Sequence, residues 1–528
     1  MSMQILSKGF CLPRGICVLI LFLQIVVAHA ETGPVVTTNY GQVRGITENN
    51  LFIFKGIPYA QPPVGDLRWQ PPQTFEPWQG ILPTNAFNND CMQLEPAYDP
   101  LRSRQTKSED CLYLNIWSAD LTATNKAPVM VWIHGGGFVQ GSAAELRLDG
   151  ANLAKRGVVV VTFNYRLGRF GFFAHPALTE EARQHNQAFA NYGLLDQIAA
   201  LRWVKNNIAA FGGDPNNITV FGESAGGAAV NLLMVNDDAQ QLMDKAIVQS
   251  GGGRDIFAYL DRDRPLKKSA HAAGLAMATR ASLSHDATVA ELRAIPATTL
   301  VGNLGLINME AETFSGTIID GTIVRGEAHL EFAANRQDKI PYLIGSNSGE
   351  LSALPVLGFM QTELLKQYGD AAESVIKIYG SEVEENNRSA RLINEAYFNE
   401  PARRFARSMA AMGAPTYLYR FSYVAESERE TYPDGAAHAS EITYVFNTVD
   451  ATIPAVTEKD SAMAALMSDY WVAFAKTGDP NGQGRAKWPR YNVTADPLLD
   501  FTHNGPLVRE HLDEQRLDTI AELYPNAN

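Results

Sequence analysis

The chain has 528 residues, 46% of them apolar, and a formal charge of −13. That is ample for a large buried core. An acidic chain without a basic tract argues against nucleic acid or anionic lipid as a partner.

The first thirty residues hold Lys8 and Arg14, then ICVLILFLQIVV, then Ala-His-Ala before Glu31. A basic start, a short apolar run and an Ala-x-Ala site read as a secretory signal cleaved near Ala30. This predicts a secreted or periplasmic mature protein, charged −15 once Lys8 and Arg14 are gone. The rival reading is an uncleaved anchor, which the shortness of the apolar run disfavours. No later apolar run has the length of a bilayer span, so no stable membrane insertion is expected. Of the cysteines, 11 and 17 leave with the signal; Cys91 and Cys111 remain, twenty positions apart. In an exported chain this pair predicts a disulfide, contributing about 3 kcal/mol in the entropic account. No Cys/His cluster has zinc spacing and no calcium-loop pattern occurs, so neither metal nor cofactor is expected.

Strand-like and helix-like runs then alternate. APVMVWIHGGG is an apolar strand ending in glycines, and GVVVVTFNYR is a second strand, rich in β-branched residues. YGLLDQIAALRWVKNNIAAFG has helical spacing and stops at Gly212. NITVFG, DKAIVQSGG, IPYLIGSN and PTYLYRFSYV read as further strands, and SAGGAAVNLLMV as a helix. The alternation predicts an α/β fold with a mostly parallel central sheet flanked by helices. With no linker or repeat, residues 31–528 read as one domain with large insertions.

Ser224 lies in VFGESAGG, between the strand NITVF and the helix AGGAAVNLLM. Gly-x-Ser-x-Gly says little by itself, but at a strand-to-helix turn it lifts a serine hydroxyl above the sheet edge. Gly222 and Gly226 would remove side chains where strand and helix pass closely. The helix N-terminus favours negative charge at the same spot. WIHGGGF, residues 132–138, follows an earlier strand. Consecutive glycines let backbone amides approach an oxyanion, as the attack of a serine on an ester carbonyl requires.

These segments resemble the type-B carboxylesterase/cholinesterase family of the α/β-hydrolase fold. FGGDPNNITVFGESAGG is similar to that family's serine signature and EDCLYLNIW to its second signature. FKGIPYAQPPVGDLRW, NYRLGRFGF, NYGLLDQ, WVAFAKTGDPN and WPRYN extend the likeness over nearly all of the mature chain. The resemblance implies a serine hydrolase of carboxylic esters, with a small-molecule ester as substrate. It implies oxyanion donors at the amides of Gly136, Gly137 and Ala225, and structural ion pairs Arg68–Glu109 and Arg166–Asp196. Glu223 also matches the family and would tune the site electrostatically.

A serine nucleophile needs a base, and the base an orienting carboxylate. Of the histidines after Ser224, His438 in DGAAHASEITYVF and His503 in LLDFTHNG both follow strands. The resemblance selects His438, because Glu441 and Tyr-Val-Phe follow it as in the family. For the acid, Glu350 in IPYLIGSNSGELSALP is similar to the family's Gly-x-Asn-x-x-Glu element. Gly349 and Leu351 depart from the common pattern, an acid before the glutamate and a glycine after it. The rival is Asp320 in IIDG, which resembles a structural Asp-Gly turn.

In cholinesterases a tryptophan in the disulfide-closed loop binds the quaternary ammonium. Here the loop between Cys91 and Cys111 has no Trp; Tyr98 is its one aromatic, and Arg102, Arg104 and Lys107 would repel a cation. This implies a carboxylesterase and not a choline esterase; a weaker expectation is that these cations tolerate anionic esters. A lipase, or a hydrolase specialised for a xenobiotic or natural product, is the alternative. A non-catalytic binding protein on the same fold is remote, since every expected catalytic position holds a competent residue. Sequons stand at Asn217, Asn387 and Asn492, glycosylated only in a host that carries out that chemistry.

Overall fold

A computed structural model describes residues 33–524 except 96–98, 123, 255, 265–266, 352–356 and 381–384, with side chains also left out at 357–361, 363 and 385–387. The first thirty residues, expected to be a signal, together with Tyr98 and the Asn387 side chain, lie outside the described residues. Among the described residues no helix is long and apolar enough to cross a membrane.

Eleven strands form one sheet. In chain order they are β1 (Ile46–Glu48), β2 (Leu51–Pro58), β3 (Tyr113–Ser118), β4 (Ala127–Ile133), β5 (Val159–Phe163), β6 (Gly213–Glu223), β7 (Lys245–Gln249), β8 (Tyr342–Asn347), β9 (Thr416–Phe421), β10 (Pro497–Thr502) and β11 (Gly505–Glu510). Across the sheet the order is β1-β2-β3-β5-β4-β6-β7-β8-β9-β10-β11. From β5 to β10 every neighbouring pair is parallel. The pairs at the two edges are antiparallel. The expected parallel strands are therefore the centre of a mixed sheet.

Burial on both faces explains the unbroken apolar runs of β4 and β5. Along β4, Val129, Val131 and Ile133 enter one core while Met130 and Trp132 enter the other, the period-two alternation of a strand. The helices α1 (Tyr192–Asn207), α2 (Ala225–Met234) and α3 (Glu400–Ala411) supply Leu201, Val230 and Phe405 to the first core. Helix α4 (Glu458–Thr477) supplies Met467, Trp471 and Phe474 to the second. The segment beginning at Tyr192 runs through α1 and a short 3-10 turn, then stops at Gly212, whose φ of 85° ends it in the left-handed region, as expected.

The cysteine pair is joined as expected, with Cα atoms 4.9 Å apart. Both ion pairs implied by the resemblance are present. Arg68 grips both oxygens of Glu109 at 2.7 and 2.5 Å. Buried Arg166 grips both oxygens of Asp196 at 2.8 and 2.7 Å. These are bidentate, geometrically specific pairs. The first joins two loops, the second joins the segment after β5 to α1, and both lie outside the contacts of Ser224 and His438.

Candidate active site

Strand β6 ends at Glu223, α2 begins at Ala225, and Ser224 joins them at φ 55°, ψ −122°. A residue with a Cβ rarely adopts a positive φ, and such strain concentrates at functional turns. The turn closes because its flanking glycines leave no room for anything else. A Cβ on Gly222 would lie 2.6 Å from the carbonyl carbon of Gly226, and one on Gly226 would lie 2.1 Å from the carbonyl oxygen of Ile133. The Ser224 amide donates to the Gln249 carbonyl at 2.9 Å, fixing the turn against β7. Ser224 stays partly exposed although its neighbours on either side are buried.

The loops after β8 and β9 meet beside this turn. His438 Nδ1 lies 2.6 Å from Glu350 Oε2, and the His438 amide donates to the Glu350 carbonyl at 2.7 Å. Glu350 is buried, and its Oε1 accepts from Ser250 Oγ and from the Asn347 amide, each at 2.7 Å. Asn347 Nδ2 also donates to the Ala437 carbonyl at 2.8 Å and to Glu441 Oε2 at 2.6 Å. Glu441 in turn accepts from Gln249 Nε2 at 2.9 Å, and Gln249 Oε1 accepts from Trp471 Nε1 at 3.0 Å. Each polar group in this buried chain constrains the next, as a support for an oriented imidazole requires.

The departure at Gly349 has a steric cause. A Cβ there would lie 2.7 Å from the backbone carbon of Gly435, in the histidine loop. The Gly349 amide donates to the Ala436 carbonyl at 2.9 Å, and Ser348 Oγ accepts from the Ala436 amide at 3.0 Å. The acid and histidine loops therefore touch backbone to backbone, and Glu350 keeps its place without the family's neighbouring acid. Leu351 is buried in a small cluster with Leu364, Tyr368 and Ile393.

On its far side, His438 Nε2 lies 3.1 Å from Glu223 Oε1, on the residue preceding Ser224. The imidazole thus reaches the turn that carries Ser224 with Nε2 facing Glu223, and among the described residues it forms no hydrogen bond to Ser224. Burial pushes the Glu223 carboxyl up to about 8, with His438 opposing the rise and Glu441 and Glu350 adding to it. Burial alone would lower His438, but Glu223, Glu350 and Glu441 outweigh it and lift the imidazole to about 10. A protonated Glu223 no longer lifts His438, so the titrating protons belong to the pair.

The glycine loop after β4 lies against the same turn. A Cβ on Gly135 would lie 2.7 Å from the Glu223 carbonyl oxygen and 3.2 Å from Ser224 Cβ. Gly136 and Gly137 have φ of 98° and 61°, conformations open to glycine at little cost. His134 stacks on Tyr165 at 4.4 Å, and burial lowers its imidazole to about 4. It is therefore neutral and a spacer.

The rivals sit elsewhere. His503 is exposed, with Nδ1 3.3 Å from Arg429 Nη2, a cation and not a carboxylate. Asp320 accepts from the Thr322 and Ile323 amides at 2.6 and 2.7 Å, the work of a turn. In the disulfide loop, Arg102 pairs with Glu95 at 2.7 Å, and Lys107 pairs with Asp90 at 3.1 Å and Glu95 at 3.2 Å. Two of the three cations expected to repel a cationic substrate are thus neutralised locally. Sequence reasoning missed Phe398, whose ring lies 5.0 Å from that of His438. It is carried by a π-helical turn, Glu395–Asn399, ahead of α3, a form frequent at functional sites. No local pattern announces such a turn. Ser250, by contrast, immediately follows β7 in IVQSGG and was within reach of inspection.

The Carboxylesterase family matches residues 32–520. A fumonisin B1 esterase of Sphingopyxis macrogoltabida is 37% identical over 470 residues, 86% of this chain and 84% of that protein. A para-nitrobenzyl esterase of Bacillus subtilis is 34% identical over 518 residues, 94% of this chain and 99% of that protein. A solved para-nitrobenzyl esterase superposes with a TM-score of 0.80 at 31% identity, covering 93% of this chain and 100% of the other. The carboxylesterase EST55 of Geobacillus stearothermophilus superposes at 0.79 with 33% identity, over 93% of this chain and 100% of its own. These neighbours have the α/β-hydrolase fold, the architecture expected from the alternating elements. The chain belongs to the carboxylesterase family and is a carboxylic ester hydrolase.

Proposed function

We propose that Ser224, His438 and Glu350 form the catalytic triad and that the amides of Gly136, Gly137 and Ala225 form the oxyanion hole. The supporting observation is convergence: the Glu350–His438 pair reaches the turn that carries Ser224. His438 takes the Ser224 proton as Oγ attacks the ester carbonyl. The tetrahedral oxyanion is held by the three amides and by the N-terminus of α2. Collapse expels the alcohol, which receives the proton from His438, and leaves an acyl-serine. Water, deprotonated by His438, then attacks the acyl-serine; collapse breaks the bond to Oγ and releases the carboxylic acid, and His438 returns the proton to Ser224. Glu350 holds the imidazole with Nδ1–H toward itself and stabilises the imidazolium. The bond between serine and imidazole tightens once substrate displaces Nε2 from Glu223; catalytic hydrogen bonds are commonly long before that stage.

The substrates are carboxylic esters other than choline esters, because the disulfide loop offers no tryptophan to a quaternary ammonium. The signal-like first thirty residues and the Cys91–Cys111 bond support an exported protein. The relatives' names supply two probes, fumonisin B1 and para-nitrobenzyl esters. Assay of nitrophenyl esters of rising chain length, with butyrylcholine beside them, tests the assignment. Turnover of short and medium nitrophenyl esters, abolished in Ser224→Ala, is expected. Activity on long chains only would make the enzyme a lipase, and comparable rates on the choline ester would refute the substrate class.

A further inference from the structure

Gln93 is buried, two residues past Cys91 and outside every motif of the family signatures. Its side-chain amide bonds both ways to one backbone residue: Nε2 donates to the Gly141 carbonyl at 2.8 Å, and the Gly141 amide donates to Oε1 at 2.9 Å. The remaining Nε2 hydrogen reaches the Cys91 carbonyl at 3.1 Å. A primary amide matches a peptide edge in donor and acceptor, so the pair fixes Gly141 in position and in rotation, as a neighbouring strand would.

What Gly141 holds is the glycine loop. Gly141 has φ of +120°, and a Cβ on it would lie 2.4 Å from His134 Nδ1 and 2.6 Å from the Gly135 carbonyl oxygen. The Gly136 carbonyl accepts from the amides of Val139 and Gln140, each at 3.0 Å, and a Cβ on Gly136 would lie 2.1 Å from the Gln140 carbonyl oxygen. Residues 135–141 are thus closely packed: Gly136 meets the Gln140 backbone, and Gly141 abuts the Gly135 carbonyl and the buried His134 ring, leaving little room to absorb a shift. One residue on, Ser142 Oγ donates to Asp90 Oδ1, a second tie to the strand that enters the disulfide at Cys91. Close-packed groups transmit displacement instead of absorbing it.

We infer that Gln93 is a positioning residue for the oxyanion hole: through Gly141 it sets where the amides of Gly136 and Gly137 stand relative to Ser224. It touches neither substrate nor reacting atoms. The inference rests on the proposed oxyanion hole. Small misplacements of preorganised donors act on the transition state and leave ground-state binding nearly unchanged.

The test compares Gln93→Met, which keeps length and loses both bonds to Gly141, with Gln93→Glu, which keeps only an acceptor for the Gly141 amide. Rates are expressed per active site titrated with an organophosphate, so misfolded protein does not enter. Gln93→Met should lower kcat on a nitrophenyl ester about 10- to 100-fold, with KM within about threefold of the parent and the pH profile unmoved. Gln93→Glu should fall between Met and the parent. The affinity for a trifluoromethyl ketone, which forms an oxyanion on Ser224, should weaken in proportion to kcat/KM. Unchanged kcat per titrated site, or a loss confined to KM, overturns the inference. Activity surviving in Ser224→Ala would instead overturn the triad itself, so the two failures are distinct.

Discussion

Glu223 Oε1 lies 3.1 Å from Nε2 of His438, on the opposite side of the ring from Glu350. Glu223 also precedes Ser224 in the chain, so a buried carboxyl and the imidazole of the proposed base share one small space. In the folded protein its pKa rises from the ordinary 4.5 to about 8. Between those values the unfolded chain has released a proton that the folded chain still holds, so this group's contribution to stability declines as pH rises. His438, raised from 6.5 to about 10, shifts in the same direction, and the loss of stability as pH rises is one coupled titration of the pair. Glu223→Gln should therefore flatten the fall in melting temperature between about pH 5 and 8. It should also move the acid limb of kcat/KM to lower pH, because neutral imidazole is the active form and one charge that protonates it is gone. A melting profile parallel to that of the parent would contradict this.

Glu350 differs from Glu223 in being hydrogen-bonded on both oxygens. Glu350→Gln keeps the shape but loses the charge and the preferred imidazole tautomer. It should lower kcat by about 10,000-fold with little change in KM, measured by steady-state kinetics on a nitrophenyl ester. A loss under tenfold would move the orienting role to another acid.

Gly226→Ala places a Cβ 2.1 Å from the Ile133 carbonyl oxygen. The end of β4 must give way, and the glycine loop begins there. We expect destabilisation of about 1–3 kcal/mol in chemical denaturation, together with loss of most activity. Gly349→Asp, which restores the acid of the common family pattern, should likewise damage this enzyme, because Gly435 occupies that space. Full activity in Gly349→Asp would show that the two loops part easily.

Arg166 and Asp196 are both buried, and removing one partner leaves the other charge uncompensated. Asp196→Ala should cost about 3–5 kcal/mol in urea unfolding, while kcat of the protein that remains folded changes little. A large fall in kcat at full stability would place this pair in the catalytic machinery.

The proposed triad was largely legible because each member lies on the segment that follows a strand of the sheet. Ser224 follows β6, Glu350 follows β8 and His438 follows β9, and the C-terminal edge of a parallel sheet gathers such ends. The apolar runs of β4 and β5 marked the centre of the sheet because burial on both faces removes polar alternation. Three features were not legible. The fit of Gly349 against Gly435 depends on two loops 86 positions apart. Phe398 depends on a π-turn that has no local signature. Gln93 depends on the loop onto which the disulfide segment folds, and glutamine in a loop carries no pattern. Each is a contact between distant segments, decided by packing and not by propensity.

The reactivity of the Ser224 hydroxyl tests the proposed triad most directly. Native protein treated with a small organophosphate should gain one adduct mass, located by peptide mass spectrometry on Ser224, at a rate that collapses in His438→Ala. No adduct on native protein, or an adduct on another residue at the same rate in both proteins, would contradict the assignment of Ser224 as nucleophile and His438 as its base.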